Sequence, residues 1–107
     1  MERKSGKMAF YTIHPKEIET ILEKKHAIII DVRERADYQA YHLKRALNIP
    51  YEDHDDWIRN FRGRRPLILY CEHGSTSVLA ARKLSKAGLE VYTVVGGVKA
   101  LREYFND

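Results

Sequence analysis

The sequence predicts an α/β fold in which a parallel sheet carries helices on both faces. Short segments of strand-forming residues alternate with segments of helical periodicity along the chain. The run Ala27-Ile28-Ile29-Ile30 is apolar without interruption, which is typical of a strand buried on both faces of a parallel sheet. Because strands joined by helices follow right-handed crossovers, their carboxyl ends should share one edge.

The first half of the chain contains three predicted strands and two predicted helices. The strands are expected at residues 10–13, 27–31 and 46–50, the last closed by Pro50. The first helix begins at Pro15, a tolerated first helical position, and should have one inner face, formed by Ile18, Ile21, Leu22 and the stem of Lys25. A shorter helix is expected from Arg35 to about Tyr41.

The second half adds two strands and three helices. A helix with acidic residues at its start and arginines at its end is expected between Glu52 and Arg65, with an apolar stripe of Trp57, Ile58 and Phe61. Strands are predicted at residues 67–70 and 91–95. A helix follows each of these strands. The first ends at Gly88, and its inner face is formed by Ala80, Ala81, Leu84 and Ala87. The second follows Gly96-Gly97, and its inner face is formed by Val98, Leu101, Tyr104 and Phe105.

Size and composition indicate one globular domain. The chain has 107 residues, of which 44% are apolar, and we expect a flexible basic tail at residues 1–7 followed by one domain at residues 8–107. A single cysteine cannot form an internal disulfide, which favours a reducing cytoplasm. The longest apolar run is too short to cross a membrane. The net charge of +4 is modest, and the sequence contains no recognisable motif that could contact the bases of a nucleic acid, so nucleic-acid binding is not expected.

The single cysteine, Cys71, lies where a predicted strand meets a tight loop. Gly74 permits unusual backbone angles, and Ser75, Thr76 and Ser77 are all good helix N-cap residues. Such a loop can turn several N–H groups inward as an anion-binding nest, and the helix dipole adds partial positive charge there. A thiol in this position should ionise readily and act as a nucleophile. The alternative is a buried cysteine that serves only as a small apolar side chain.

Two charged features need separate interpretation. Asp31 and Arg33 follow a strand, so they should lie at the same sheet edge as Cys71, where open α/β sheets bind ligands. A solvated loop with local ion pairs explains this pair as well. The acidic residues at the start of the helix after Glu52 complement its dipole, so we predict no metal site there.

Four motifs in this order resemble the rhodanese-like domains. Asp31-Val32-Arg33-Glu34 is similar to the family's first signature. Residues 41–50 resemble Gly-His-Ile-x-Gly-Ala-x-Asn-Ile-Pro, with Tyr41 and Arg45 in place of the two glycines. Residues 71–77 resemble the six-residue active-site loop, and Val95-Gly96-Gly97-Val98 resembles the Gly-Gly motif before the last helix.

The resemblance implies a three-layer sandwich with a five-stranded parallel sheet, and a sulfurtransferase. Cys71 would be the nucleophile that carries sulfane sulfur as a persulfide. Residues of the loop and its surroundings would bind the substrate, namely Glu72, His73, Gly74, Ser75, Thr76 and Arg33. The donor would be thiosulfate or a persulfide, and the acceptor cyanide, a thiol or a thiol-bearing protein. No metal or organic cofactor is implied.

Departures from the family pattern bear on the donor. Thr76 stands where many members have an arginine, and Glu72 and His73 stand where thiosulfate-using branches often have basic residues. A carboxylate beside the loop should oppose a dianionic donor.

Two other functions remain open from the sequence. A phosphatase or arsenate reductase would need an arginine near Ser77, and Arg82 lies too far along the helix. A non-catalytic interaction module is the other alternative.

Overall fold

The computed structural model describes residues 10–53, 60–61 and 65–105. The strands are β1 (Tyr11–Ile13), β2 (Ile28–Asp31), β3 (Leu47–Asn48), β4 (Leu67–Tyr70) and β5 (Val91–Val94). The helices are α1 (Ile18–Lys25), α2 (Arg35–Ala40), α3 (Ser75–Lys86) and α4 (Gly97–Phe105), with 3-10 turns at Pro15–Glu17 and Tyr51–Asp53. The predicted basic tail, and most of the helix predicted between Glu52 and Arg65, lie outside the described residues.

All five strands pair in parallel, in the order β1-β5-β4-β2-β3. The prediction of a five-stranded parallel sheet is therefore confirmed. Asp31 at the end of β2 is in register with Tyr70 at the end of β4. This register places Arg33 and Cys71, which follow these two residues, at the same sheet edge.

The three central strands, β2, β4 and β5, are buried on both faces, as the apolar runs predict. On one face Ile29, Ile68 and Val94 join residues of α1 and α4, including Ile18 and Leu101. The other face packs against α3, with a core formed by Ile30, Leu67, Leu69, Val91, Ala80, Ala81 and Leu84. These layers form the three-layer sandwich expected from the sequence.

Helix α1 agrees with its predicted inner face except at its last residue. His14 and Glu17 form a capping box, and Pro15 occupies the first turn. Ile18 is buried, whereas Lys25 is exposed and its Nζ lies 3.1 Å from Glu90 Oε2. Glu90 also accepts a hydrogen bond from the hydroxyl of Tyr92. Lys25 therefore takes part in a surface ion pair rather than in the core.

Helix α4 also departs from its prediction at one position. Val98 and Leu101 are buried and Phe105 packs against the same core, but Tyr104 is 47% exposed. The ring of Tyr104 instead stands edge-on to those of His14 and Phe105. None of the helices in the described part of the chain is long and apolar enough to span a membrane.

Arg45 adopts a backbone conformation that side chains usually avoid. Its φ is +75°, in the left-handed region where glycine is favoured. This is one of the two positions at which the sequence departs from the glycines of the resembling motif. The backbone of this turn explains why glycine suits the position.

Candidate active site

Cys71 directly follows β4 and lies under a loop that leads into α3. Gly74 is the N-cap residue of α3, with φ +105°, and has no side chain to cap the helix. Ser75, Thr76 and Ser77, which are good N-cap residues by type, instead form the first helical turn. A sulfur atom takes over the capping role.

The sulfur of Cys71 accepts hydrogen bonds from two main-chain N–H groups. The N–H of Gly74 lies 3.0 Å from Sγ, and the N–H of Ser77 lies 3.3 Å away. Ser77 is the third residue of α3, whose N–H an N-cap side chain commonly satisfies. The cysteine sulfur therefore caps the helix and lies at the positive end of its dipole.

This environment resembles an anion-binding site. Main-chain N–H donors and a helix N-terminus are the features with which proteins bind negatively charged groups. The whole Cys71 residue is only 3% exposed, so the protein encloses the sulfur almost completely. The geometry suits a nucleophile whose charge is held by fixed N–H donors.

Arg33 joins the end of β2 to the active-site loop. Its guanidinium donates to both oxygens of Asp31 and, through Nη1, to Oε1 of Glu72 at 3.0 Å. It also donates to the carbonyl oxygen of Tyr41. The Arg33 side chain is 7% exposed and Asp31 is fully buried, whereas the Glu72 side chain is 54% exposed.

These contacts pair the charges of Arg33 and Glu72 beside the active-site loop. Burial works against the charge of Arg33, but the hydrogen bonds to Asp31 and Glu72 outweigh it and raise the pKa of the guanidinium. The sequence interpretation places both Arg33 and Glu72 among the substrate-binding residues, with the Glu72 carboxylate opposing a dianionic donor. The structure brings them together as an ion pair, but Arg33 also binds Asp31, so one cation faces two carboxylates beside the loop.

The region beneath Arg33 is rigidly connected. Asn48 donates to the carbonyl oxygens of Asp31 and Arg33, and the N–H of Leu43 donates to the hydroxyl of Tyr70. Burial raises the pKa of Tyr70 well above its usual value, although the hydrogen bond from Leu43 works in the opposite direction. Tyr70 therefore remains a neutral, structural residue next to Cys71.

The Gly-Gly motif packs directly against the backbone of the active-site loop. A Cβ atom on Gly97 would lie 2.3 Å from the carbonyl oxygen of Glu72, and its φ is +62°. The next N–H group, that of Val98, donates to the carbonyl oxygens of Cys71 and Glu72 at 3.0 and 3.1 Å. Glycine is therefore required at position 97 because the backbone of the active-site loop passes against it.

The other predicted site residues lie in the same loop and in the first turn of α3. His73 and Ser75 are exposed, and Thr76 is half-buried. Among the residues that the structure describes, no group of three or more His, Cys, Asp or Glu side chains could hold a metal ion.

Two hydroxyl residues near the sulfur are not among the site residues that the sequence predicts. The sequence pattern identifies Ser77 only as an N-cap candidate, and Thr93 only as part of a strand. The Ser77 hydroxyl lies 3.6 Å from Sγ of Cys71 and 2.6 Å from the hydroxyl of Thr93. A polar residue inside the apolar segment Val91–Val94 is the available signal for Thr93.

Comparisons with known proteins agree with this fold and loop. The rhodanese-like domain family matches residues 14–104. A relative named thiosulfate sulfurtransferase GlpE, from Pseudomonas putida, is 31% identical over 94 residues, which is 87% of this chain and 86% of the relative.

Solved structures give the same result. A rhodanese homolog from the extremely thermophilic bacterium Thermus thermophilus is 32% identical, with a TM-score of 0.67 over 84% of this chain and 99% of that one. The Bacillus anthracis CoADR-RHD protein is 28% identical, with a TM-score of 0.81 over 91% of this chain but only 17% of that longer chain. The chain belongs to the rhodanese-like domain family.

Proposed function

We propose that this protein is a sulfurtransferase that carries a sulfane sulfur on Cys71 as a persulfide. The observation that carries the proposal is the pair of N–H groups, from Gly74 and Ser77, that donate to Sγ at the helix N-terminus. Donors fixed in this way stabilise negative charge on Sγ, both in the attacking thiolate and in the thiolate that leaves when sulfur is released. Membership of the family and relatives named thiosulfate sulfurtransferase support the same reaction.

The relay consists of two displacements at sulfur. The Cys71 thiolate attacks the outer sulfur of thiosulfate, the S–S bond of the donor breaks, and sulfite leaves with the bonding electrons. A persulfide donor reacts in the same way and releases a thiolate. Cyanide or a thiol then attacks the outer sulfur of the persulfide, and Cys71 leaves as a thiolate. Covalent catalysis of this kind divides one difficult transfer into two easier steps.

The charges near the loop favour a persulfide donor over thiosulfate. Arg33 is already paired with Asp31 and Glu72, so it offers no unpaired charge to a dianion. Thr76 supplies no cation at the end of the loop.

The reaction belongs in the cytoplasm, where reducing conditions keep a single thiol free. The acceptor is then a small thiol, cyanide or a thiol on another protein.

The direct test measures thiocyanate formation from cyanide with either thiosulfate or a low-molecular-weight persulfide. We expect turnover by the native protein and complete loss in Cys71→Ser, because an alcohol cannot carry sulfane sulfur. Circular dichroism should show the same fold in this variant, since a serine oxygen can still cap α3. Turnover in Cys71→Ser would reject the proposal. Absence of turnover by the native protein with every donor would also reject it and would favour a non-catalytic interaction module.

The donor preference has its own variants. Thr76→Arg and Glu72→Lys should each lower the KM for thiosulfate, because each adds positive charge beside the loop. Glu72→Gln is the matched control, since it removes the negative charge without adding a positive one, and we expect a smaller decrease. An unchanged KM in all three variants would contradict the charge argument but leave the role of Cys71 intact.

A further inference from the structure

A pair of buried hydroxyl groups, those of Ser77 and Thr93, lies close to the Cys71 sulfur. Ser77 on α3 is fully buried, and Thr93 in the middle of β5 is 1% exposed. Their oxygens lie 2.6 Å apart, and the Ser77 oxygen lies 3.6 Å from Sγ. Because buried polar groups are almost always hydrogen-bonded, each hydroxyl proton can be assigned to a nearby acceptor.

With a neutral thiol, every group in this cluster is satisfied. The S–H of Cys71 donates to the Ser77 oxygen, and the Ser77 hydroxyl donates to the carbonyl oxygen of Gly74 at 3.2 Å. Thr93 can donate its own proton to the Ser77 oxygen. The Ser77 proton is then not needed for the bond to Thr93 and can be donated to another acceptor. When the thiol loses its proton, the sulfur becomes a second acceptor within reach of that hydroxyl.

We infer that Ser77, oriented by Thr93, switches its hydroxyl from the Gly74 carbonyl to the Cys71 sulfur whenever that sulfur carries charge. The inference rests on the proposed sulfur relay and adds a positioning role to it. In the persulfide, the negative charge lies mainly on the outer sulfur, one bond away from the atom that the Ser77 hydroxyl contacts. The hydroxyl therefore stabilises the free thiolate more than it stabilises the loaded state.

This difference acts on the release step. When an acceptor attacks the outer sulfur, the S–S bond breaks and its electrons return to the Cys71 sulfur. A hydroxyl that donates to this sulfur stabilises the leaving thiolate as its charge develops. Ser77 thus speeds sulfur release, and Thr93 acts through Ser77 by occupying one of its lone pairs.

The test compares variants that change one hydroxyl at a time. Ser77→Ala removes the hydroxyl but keeps the main-chain N–H that donates to Sγ. Thr93→Val removes the second hydroxyl at nearly constant shape, and Thr93→Ser keeps it. Ser85→Ala is the matched control, because Ser85 is a buried serine on the same helix whose hydroxyl donates to the carbonyl oxygen of Arg82.

The first readout is the pH dependence of Cys71 alkylation by iodoacetamide, which requires no sulfur transfer. In Ser77→Ala we expect the midpoint of the rate profile to move up by about one pH unit, the effect of one charge-assisted hydrogen bond. Thr93→Val should show a smaller shift in the same direction, and Thr93→Ser and Ser85→Ala should match the native profile. If Ser77→Ala fails to fold, the two Thr93 variants decide the question.

The second readout separates loading from release in single turnovers. Release of sulfur from preloaded protein to cyanide should slow by up to about tenfold in Ser77→Ala, whereas loading at high pH should not slow, because the hydroxyl stabilises the attacking thiolate at least as much as the transition state. A Ser77→Ala profile and release rate equal to those of Ser85→Ala would overturn the inference. If the native protein accepts no sulfur, the proposed relay fails, whereas the alkylation profiles still report whether the hydroxyl pair stabilises the thiolate.

Discussion

Replacement of Arg33 by methionine tests the buried network that connects β2 to the active-site loop. Methionine keeps much of the length of the side chain but removes the guanidinium. Asp31, which is fully buried, then loses the cation that binds both of its oxygens. A buried carboxylate without its partner is costly, whereas the exposed carboxylate of Glu72 returns to solvent.

The expected magnitude follows from the two burial states. Loss of the Arg33–Asp31 pair should lower the free energy of unfolding by about 3–5 kcal/mol, since removal of one member leaves an uncompensated buried charge. Loss of the contact between Arg33 and Glu72 alone, as in Glu72→Gln, should cost less than about 1 kcal/mol because the Glu72 side chain is 54% exposed. Because the free energy of unfolding of a protein is typically about 5–15 kcal/mol, only loss of the Arg33–Asp31 pair is a severe change.

Urea denaturation of four proteins provides the measurement, namely the native chain, Glu72→Gln, Arg33→Met and the double variant Asp31→Asn with Arg33→Met. The double variant has no buried unpaired charge, so we expect it to regain part of the stability lost in Arg33→Met. A loss below about 1 kcal/mol in Arg33→Met, or a double variant less stable than Arg33→Met, would refute this reasoning.

Three further predictions concern backbone strain and charge. Gly97→Ala should cost more than about 3 kcal/mol and abolish sulfur transfer, because its Cβ would collide with the active-site loop. Gly88→Ala, which has a similar positive φ but no atom within 4 Å, should cost only about 1 kcal/mol, and equal losses would exclude the collision. Arg45→Gly should raise the free energy of unfolding by about 0.5 kcal/mol by relieving left-handed strain, whereas Lys44→Gly should lower it; thermal unfolding of both variants checks the sign. Burial opposes the charge of Glu90, but the hydrogen bonds from its neighbours on β5 and α1 outweigh burial and lower its pKa from 4.5. The resulting stabilisation is present above pH 4.5 and is lost as the pH falls, so Glu90→Gln should be slightly less stable than the native chain at pH 7 and equally stable near pH 3; a constant difference would contradict this.

The architecture could be predicted because local patterns determine it. Uninterrupted apolar runs such as Ala27-Ile28-Ile29-Ile30 identify strands buried on both faces, and alternation with helices implies a parallel sheet. Cys71 could be placed at the sheet edge for the same reason. The strand order β1-β5-β4-β2-β3 could not be predicted, because it depends on which apolar faces pack best rather than on any single segment.

The details of the site depend on contacts between distant segments. The sequence shows charges at Arg33 and Glu72, but nothing in their separation of 39 positions reveals that they pair. Thr93 is typical of a strand, and only the pairing of β4 with β5 brings it near Ser77. The cap of α3 could not be predicted because sequence rules expect a side-chain cap from Ser or Thr, whereas here the cap is a cysteine sulfur from outside the helix.

The most direct test of the account is the intact mass of the protein after incubation with a persulfide donor and removal of excess reagent. The proposed relay predicts a gain of about 32 Da, one sulfur atom, that maps to the peptide containing Cys71 and disappears on addition of cyanide. Ser77→Ala should gain the same mass and lose it more slowly. A protein whose mass stays unchanged with every donor, or whose added sulfur is not released to cyanide, would contradict the central claim.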